Sequence, residues 1–211
     1  MIEILTLLTG IFLAQASPGP SMMAVASVSL GSGRLAGIAA SAGIATGVIV
    51  WCLLFAFGIG SLLIAYPAAM IFAKLIGGGY LLYLAVKSLK SSFAQRSHGP
   101  KSDREEMSVR DAYRRGLFVV MTNPKAALLW VAITLFLTSS SLYVPLYLLV
   151  GVLAAASAFF IYGAYAWLFS TGVAVRSYEK SFRIVDASFG TIFALLGGKL
   201  VFDAVKETLS P

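Results

Sequence analysis

The chain has 211 residues, of which 59% are hydrophobic and only 12% are charged. A soluble domain of average composition carries about 25% charged residues, so this composition predicts an integral membrane protein and excludes most soluble enzymes and binding modules. The net charge of +7 would suggest a nucleic-acid partner in a soluble protein, but in a membrane protein such an excess usually marks cytoplasmic loops.

Long segments without charged residues predict the membrane spans, because an ionised side chain at the bilayer centre costs roughly 2.5–3.5 kcal/mol on insertion scales. About 20 apolar residues cross the hydrocarbon core, and prolines and polar residues divide the longest of these segments. The spans are expected near residues 4–29, 38–63, 69–89, 116–137, 145–169 and 184–204. The chain is therefore expected to be an all-α integral membrane protein with six transmembrane helices.

The long polar segment at residues 91–115 is expected to be a linker between two three-helix halves, residues 1–90 and 116–211. Basic residues are concentrated in this linker and in the loops after the first and fifth spans, whereas the loops after the second and fourth spans have none. Basic loops stay in the cytoplasm, so the linker is expected inside and both termini outside. Because the loops account for the basic excess, no nucleic-acid partner is expected.

The segment Ser17-Pro18-Gly19-Pro20 interrupts the first span near its middle. Each proline lacks a backbone donor and clashes with the preceding turn, so the segment predicts a broken helix, with a simple proline kink as the alternative. Broken backbone within a membrane is tolerated only where protein packs around it or where it lines a cavity. The first span is therefore expected to contribute to a site inside the bundle.

The segment Thr122-Asn123-Pro124-Lys125 interrupts the fourth span in a comparable way. A cation at that depth is costly. Lys125 is interpreted as a positive counter-charge for a substrate carboxylate, and the alternative is a lysine that extends along its methylene stem toward an interface. The second break is therefore expected to supply the charge of the site.

Residues at the two breaks form the predicted substrate-binding site, where uncharged polar groups satisfy freed backbone groups, bind substrate or do both. These residues are Gln15, Ser17, Pro18, Gly19, Pro20, Thr122, Asn123, Pro124 and Lys125. Asp186, at the start of the sixth predicted span, either stabilises a helix N-terminus or carries a coupled proton. The sequence has no catalytic constellation, paired carboxylates or nucleotide-binding motif, so no enzyme activity, cofactor or metal is expected.

The two halves also share a weak internal repeat. Pro18 and Pro124 lie 106 residues apart, and Gly78 and Gly190 lie 112 residues apart. A repeat of three spans, an odd number, enters the membrane from opposite sides in its two copies. Inverted repeats whose broken helices meet near the midplane are a recurrent design of secondary transporters. The fold is therefore expected to consist of two inverted three-helix repeats in which helices 1 and 4 are broken.

The second predicted span contains a GxxxG motif at Gly43 and Gly47. Such a motif provides a smooth face for close helix packing. The motif is expected to serve either an intramolecular contact or the interface of a homodimer, and its sequence does not decide between the two.

The paired motifs resemble those of the LysE/RhtB family of amino-acid exporters, which includes lysine and homoserine/threonine efflux proteins. The resemblance covers essentially the whole chain. Besides the two breaks it rests on Gly31, Arg34, Gly37, Gly43, Gly47, Gly58, residues 77–82, Arg115-Gly116, Gly190 and Leu196-Gly197. Members often carry an aspartate in the fifth span, where this chain has Ser157.

The resemblance implies a multi-pass protein of the bacterial inner membrane that exports amino acids or related small metabolites. It also implies that the proton-motive force drives export, as in an antiporter. The alternatives are a passive channel or pore for small solutes or ions and, with less support, a membrane-embedded enzyme or scaffold. The expected partners are the lipid bilayer and a small-molecule substrate.

Overall fold

The computed structural model describes residues 2–59, 66–93, 106–138, 144–171 and 173–209. The described residues contain no strand, which confirms the expectation of an all-α protein. They form seven α-helices, α1 (Ile2–Ala16), α2 (Pro20–Leu54), α3 (Pro67–Phe93), α4 (Val109–Met121), α5 (Pro124–Thr138), α6 (Val144–Phe169) and α7 (Val173–Leu209), and a π-helical segment, Phe55–Ile59, that continues α2.

Two helical segments, Pro20–Gly58 and Val144–Phe169, are long and apolar enough to cross a membrane. α4 and α5 meet the same criteria together, as one span that is bent by 56°. Within the described ranges, the chain therefore has two candidate membrane spans, or three if the bent pair is a single span. The expectation of a membrane protein is supported, and the number of six spans stays a prediction.

Helical structure extends beyond several predicted span ends. α2 runs through the predicted loop after the first span, and only Gly33 departs from helical geometry, with φ 82° and ψ 178°. α4 begins at Val109, inside the predicted linker, because Ser108 caps its N-terminus and accepts a hydrogen bond from Asp111 N at 3.1 Å. α3 continues to Phe93, and residues 94–105 of the linker lie outside the described residues.

α7 shows the largest difference from the predicted span ends. It begins at Val173 rather than near residue 184, so the basic residues assigned to a loop after the fifth span lie on a helix. The loop assignment was wrong because charged residues indicate where the chain meets water, whereas caps, prolines and glycines determine where a helix begins and ends.

α2 packs closely against α4 because glycines allow the two backbones to touch. A Cβ atom added at Gly43 would lie 2.0 Å from the carbonyl oxygen of Tyr113, and one added at Gly116 would lie 2.0 Å from that of Ala40. Gly47 faces the side chains of α4 at similarly short range. The GxxxG motif therefore packs inside the chain, the first of its two predicted uses.

α3 and α7 form a second closely packed pair and run antiparallel. Gly78 lies against Gly197, whereas Ala85, farther along α3, lies against Gly190, earlier in α7. A shift of 112 residues carries Gly78 onto Gly190 and Ala85 onto Gly197. The contact between Gly78 and Gly197 therefore corresponds to the contact between Gly190 and Ala85 when the two helices are exchanged.

Gly116→Ala is expected to destabilise the protein, because the added methyl group collides with the backbone of α2. Overpacking of this kind costs roughly 1–3 kcal/mol, and alanine regains about 0.8–1.0 kcal/mol over glycine within a helix. Thermal unfolding of the detergent-purified protein measures the difference. Gly163→Ala is the matched control, since a Cβ atom there meets nothing within 4 Å. A Gly116→Ala protein as stable as this control would contradict the close approach.

Candidate functional site

Helical structure is interrupted at both predicted breaks. The interruptions lie at residues 17–19, between α1 and α2, and at residues 122–123, between α4 and α5. Each second half-helix begins with a proline, Pro20 or Pro124, which suits the first helical position because the missing N–H would have no intrahelical partner there. Pro20, rather than Pro18, is therefore the residue that corresponds to Pro124.

The two breaks contact each other directly, although they are distant in sequence. Asn123 Nδ2 donates to Ser21 Oγ at 3.3 Å. The ammonium group of Lys125 donates to the carbonyl oxygen of Ser17 at 3.2 Å and also to the Ser17 hydroxyl. Gly19 lies alongside, where a Cβ atom would be 3.5 Å from Lys125 Nζ. The N-termini of α2 and α5 consequently lie close together.

Aromatic donors from neighbouring helices bind the carbonyl groups near the broken ends of α1 and α4. Tyr165 Oη of α6 donates to Ala16 O at 2.7 Å. Trp51 Nε1 of α2 donates to Val120 O at 3.1 Å. An unsatisfied carbonyl group in a hydrocarbon environment costs several kcal/mol. Tyr165 therefore stabilises the first break, and Trp51 gives Val120 O a second donor besides Asn123 N, which lies 3.3 Å from it.

Gln15 joins the end of α1 to α6 and is only 6% exposed. Its Nε2 donates to Ala154 O at 2.9 Å, and its Oε1 accepts a hydrogen bond from Ser157 Oγ at 2.7 Å. Ser157 thus fixes the orientation of the Gln15 amide. This contact assigns Ser157 a positioning role beside the breaks.

A small cavity of about 40 Å³ lies between the breaks. Its polar wall consists of Gln15, Ser21, Asn123, Lys125 and Tyr162, and the rest of its lining is apolar apart from the indole group of Trp130. One water molecule needs roughly 10–15 Å³ of such space, so the cavity has room for water molecules but not for a whole amino acid. The site in this structure is therefore too small for a complete substrate.

The cavity is electropositive. Lys125 supplies a cation, and the N-termini of α2 and α5 add partial positive charges. The ring of Phe193 in α7 lies 5.5 Å from Lys125 Nζ and forms a cation–π contact. The ion pairs found among the described residues involve other side chains. A cation held by a hydroxyl, a carbonyl group and a ring is suited to bind an anionic group such as a carboxylate.

The structure brings five of the predicted residues together, namely Gln15, Ser17, Gly19, Asn123 and Lys125. Pro18 lies partly buried within the first break, whereas Pro20, Thr122 and Pro124 are exposed. Thr122 Oγ1 donates within its own helix, to Phe118 O at 2.8 Å, so it completes the end of α4 instead of facing the cavity.

Asp186 lies in α7, and its side chain is outside the described part of the structure. Because α7 begins at Val173 and has no acidic residue in its first turn, the interpretation that Asp186 stabilises a helix N-terminus is wrong. Its other interpretation, as the carrier of a coupled proton, stays a prediction.

Several residues of the site were not predicted. Tyr162 and Trp130 line the cavity, Phe193 covers Lys125, and Trp51 and Tyr165 bind the freed carbonyl groups. Aromatic side chains are common in membrane helices, and no spacing along the chain indicates a contact with a distant segment.

Two broken helices that meet at an electropositive cavity are typical of membrane translocators. Residues 11–204 match the LysE type translocator family, and the chain belongs to this family. The resemblance found in the sequence motifs is thereby confirmed. Membership implies the export of small molecules, because the family consists of transporters rather than enzymes.

The chain is also similar to uncharacterized membrane proteins of bacteria. It is 24% identical over 196 residues to one from Haemophilus influenzae, a match that covers 92% of this chain and 93% of the relative. A protein from Pseudomonas aeruginosa is 31% identical over 129 residues, or 60% of each chain. YahN of Escherichia coli is 24% identical over 197 residues, or 90% of this chain and 85% of that one. No solved structure matches significantly.

Asn123→Ala is expected to destabilise the protein by roughly 0.5–2 kcal/mol, the usual cost of losing a helix N-cap. Asn123 Oδ1 accepts a hydrogen bond from Lys125 N at 3.0 Å in the first turn of α5, and the variant loses both this bond and the contact with Ser21. Thermal unfolding again provides the measurement. Thr122→Ala is the control, because its exposed hydroxyl bonds only to α4. Equal stability of the two variants would show that the cap is unimportant.

Proposed function

We propose that this protein is a secondary transporter that exports amino acids or related small carboxylates, and that the carboxylate binds at the two helix breaks. The observation that carries this proposal is the bond between the Lys125 ammonium group and Ser17 of the other break. A substrate carboxylate beside Lys125 would replace the neutral oxygen acceptors of Ser17 with charged oxygens. Hydrogen bonds between two ionised groups are shorter and stronger than those to neutral acceptors. The breaks thus form a site for an anionic group without a side-chain base.

The backbone at the breaks supports the same assignment. The first N–H groups of a helix have no intrahelical partner, and in α5 the Asn123 cap already takes them. Both N-termini therefore support the assignment through the helix dipole, which places positive charge at that end. The contact between Asn123 and Ser21 holds the first turns of α2 and α5 together. Two helix N-termini and one cation therefore point to a ligand with negative charge, as in other transporters built on broken helices.

We further infer that six spans form two inverted repeats, residues 1–90 and 116–211, joined by a cytoplasmic linker at residues 91–115. The antiparallel pair of α3 and α7 supports this arrangement, because its contacts interchange under a shift of 112 residues. An axis that exchanges two antiparallel helices is perpendicular to both of them. For helices that cross a bilayer, this axis lies in the membrane plane, which is the geometry of an inverted repeat.

The contacts at the breaks give independent support for the repeat. A shift of 104 residues carries Ser21 onto Lys125 and Gly19 onto Asn123, so the contact between Ser21 and Asn123 corresponds to the contact between Lys125 and Gly19. The two half-helices therefore approach each other in a symmetric manner. The smaller shift here than in α3 and α7 is consistent with a short insertion in the second repeat, between its break and its third helix.

The proton-motive force is the proposed energy source, and Asp186 is the proposed carrier of the coupled proton. The proposed location is the bacterial inner membrane, with both termini outside.

The alternative function is a passive channel, which would need the same broken helices but no coupled exchange. Saturable counterflow, in which substrate on one side accelerates the movement of labelled substrate from the other, would exclude the channel.

Lys125→Ala is expected to lower carboxylate transport at least tenfold, since a hydrogen bond to a charged group contributes roughly 1.5–3 kcal/mol. The measurement is counterflow of radiolabelled amino acids, tested one at a time, in proteoliposomes with and without an imposed pH gradient. Lys87→Ala is the matched control, because Lys87 is exposed on α3 and lies outside the site. Unchanged transport by Lys125→Ala would refute the proposed carboxylate site.

The proposed topology predicts the accessibility of two introduced thiols. In a Cys52→Ala background, which removes the single natural cysteine, Ser210→Cys is expected to react with a membrane-impermeant maleimide in intact cells. Ser102→Cys, in the linker, is expected to react only after the membrane is permeabilised. The opposite pattern would place the linker outside and reverse the orientation.

A further inference from the structure

A groove of about 430 Å³ opens between α1 and α7, next to the cavity at the breaks. α1 contributes residues such as Leu5, Gly10 and Leu13 to its wall, and α7 contributes Ile192 and Phe193. The described lining contains no charged side chain. A volume of roughly 300–1,000 Å³ is typical of small-molecule sites, so the groove is large enough for a substrate side chain, whereas the cavity at the breaks has room only for a small group.

The groove and the cavity share a boundary. Ala14 lines both of them. Phe193 forms a wall of the groove, and its ring faces Lys125 Nζ at 5.5 Å. An apolar space therefore begins next to the cation of the proposed carboxylate site.

We propose that this groove receives the apolar side chain of the substrate whose carboxylate binds Lys125. The proposal rests on the carboxylate site proposed above, and it narrows the substrate class to small carboxylates with an apolar side chain of the size of leucine or phenylalanine. In such an amino acid the carboxylate and the side chain are attached to the same carbon atom. The carboxylate can therefore bind in the cavity while the side chain lies in the adjacent groove.

The chemistry of the lining disfavours the competing substrates. A polar or charged side chain loses its hydration in the groove, and burying a polar group without a hydrogen bond is costly. The polar groups of the described lining are the hydroxyls of Thr6 and Thr9, and that of Thr9 already donates to Leu5 O at 2.8 Å, which leaves it only as an acceptor. Apolar side chains instead gain from removal of their surface from water, in proportion to the area that is buried.

Counterflow of leucine, asparagine and alanine by the wild-type protein in proteoliposomes tests this inference. Leucine and asparagine have similar shapes but differ in polarity, and leucine and alanine differ in the length of an apolar side chain. Hydrophobic pockets discriminate by about 10–200-fold for each methylene group. Leucine is therefore expected to exceed both of the others at least tenfold in transport efficiency. Equal transport of leucine and asparagine would overturn the proposal.

Gly10→Leu tests the location of the side-chain site. A Cβ atom at Gly10 meets nothing within 4 Å, so a larger side chain there fills the groove without a clash at its root. The ratio of leucine to alanine transport is expected to fall about tenfold, since an isobutyl group carries several methylene equivalents. Gly163→Leu is the control, because Gly163 is equally open but lies outside the groove.

The results distinguish this inference from the proposed function. An unchanged ratio in Gly10→Leu, as expected if a lipid acyl chain occupies the groove, overturns the side-chain site even if Lys125→Ala abolishes transport. Transport that survives Lys125→Ala overturns the carboxylate site itself.

Discussion

Backbone carbonyl groups that lose their intrahelical partners need other donors before a helix can break inside a membrane. This protein meets that requirement partly with local donors at the two breaks and partly with two side chains from packed helices, Tyr165 at the end of α1 and Trp51 at the end of α4. Trp51 belongs to the first half of the chain and completes the break of the second, and Tyr165 does the reverse. Each break therefore depends on the opposite half, so the cavity between the breaks forms only when the two halves are packed together.

Close helix packing places these donors within reach. At Gly43 and Gly116 there is no room for a Cβ atom, and the backbones of α2 and α4 therefore touch. A wider separation would move the Trp51 indole away from Val120 O, to which it donates at 3.1 Å. The small residues thus act on the site indirectly, because they set the distance across which a hydrogen bond has to form. A glycine that is not part of the cavity lining therefore still influences the site.

The sequence predicts features that nearby residues determine, and it misses features that depend on packing between distant segments. Proline and glycine at residues 17–20 and proline at residue 124 break the helix wherever the chain lies, so both breaks are predictable. Charge distribution places Lys125 inside a span, because few other cations lie so far from a loop. The start of α7 at Val173 is missed, since charged residues do not end helices. The contact of Phe193 with Lys125 is missed because it depends on how α5 and α7 meet.

The bond between Lys125 and Ser17 gives the proposed carboxylate site a mechanical consequence. Without substrate, the ammonium group of one half is held by the hydroxyl and carbonyl groups of the other. A carboxylate that binds Lys125 competes with these acceptors, and an ionised acceptor forms the stronger bond. Binding therefore replaces a direct contact between the two breaks with a contact through the substrate. A ligand shifts a conformational equilibrium only through different interactions with its two states, and this exchange of acceptors is such a difference, located where the two halves meet.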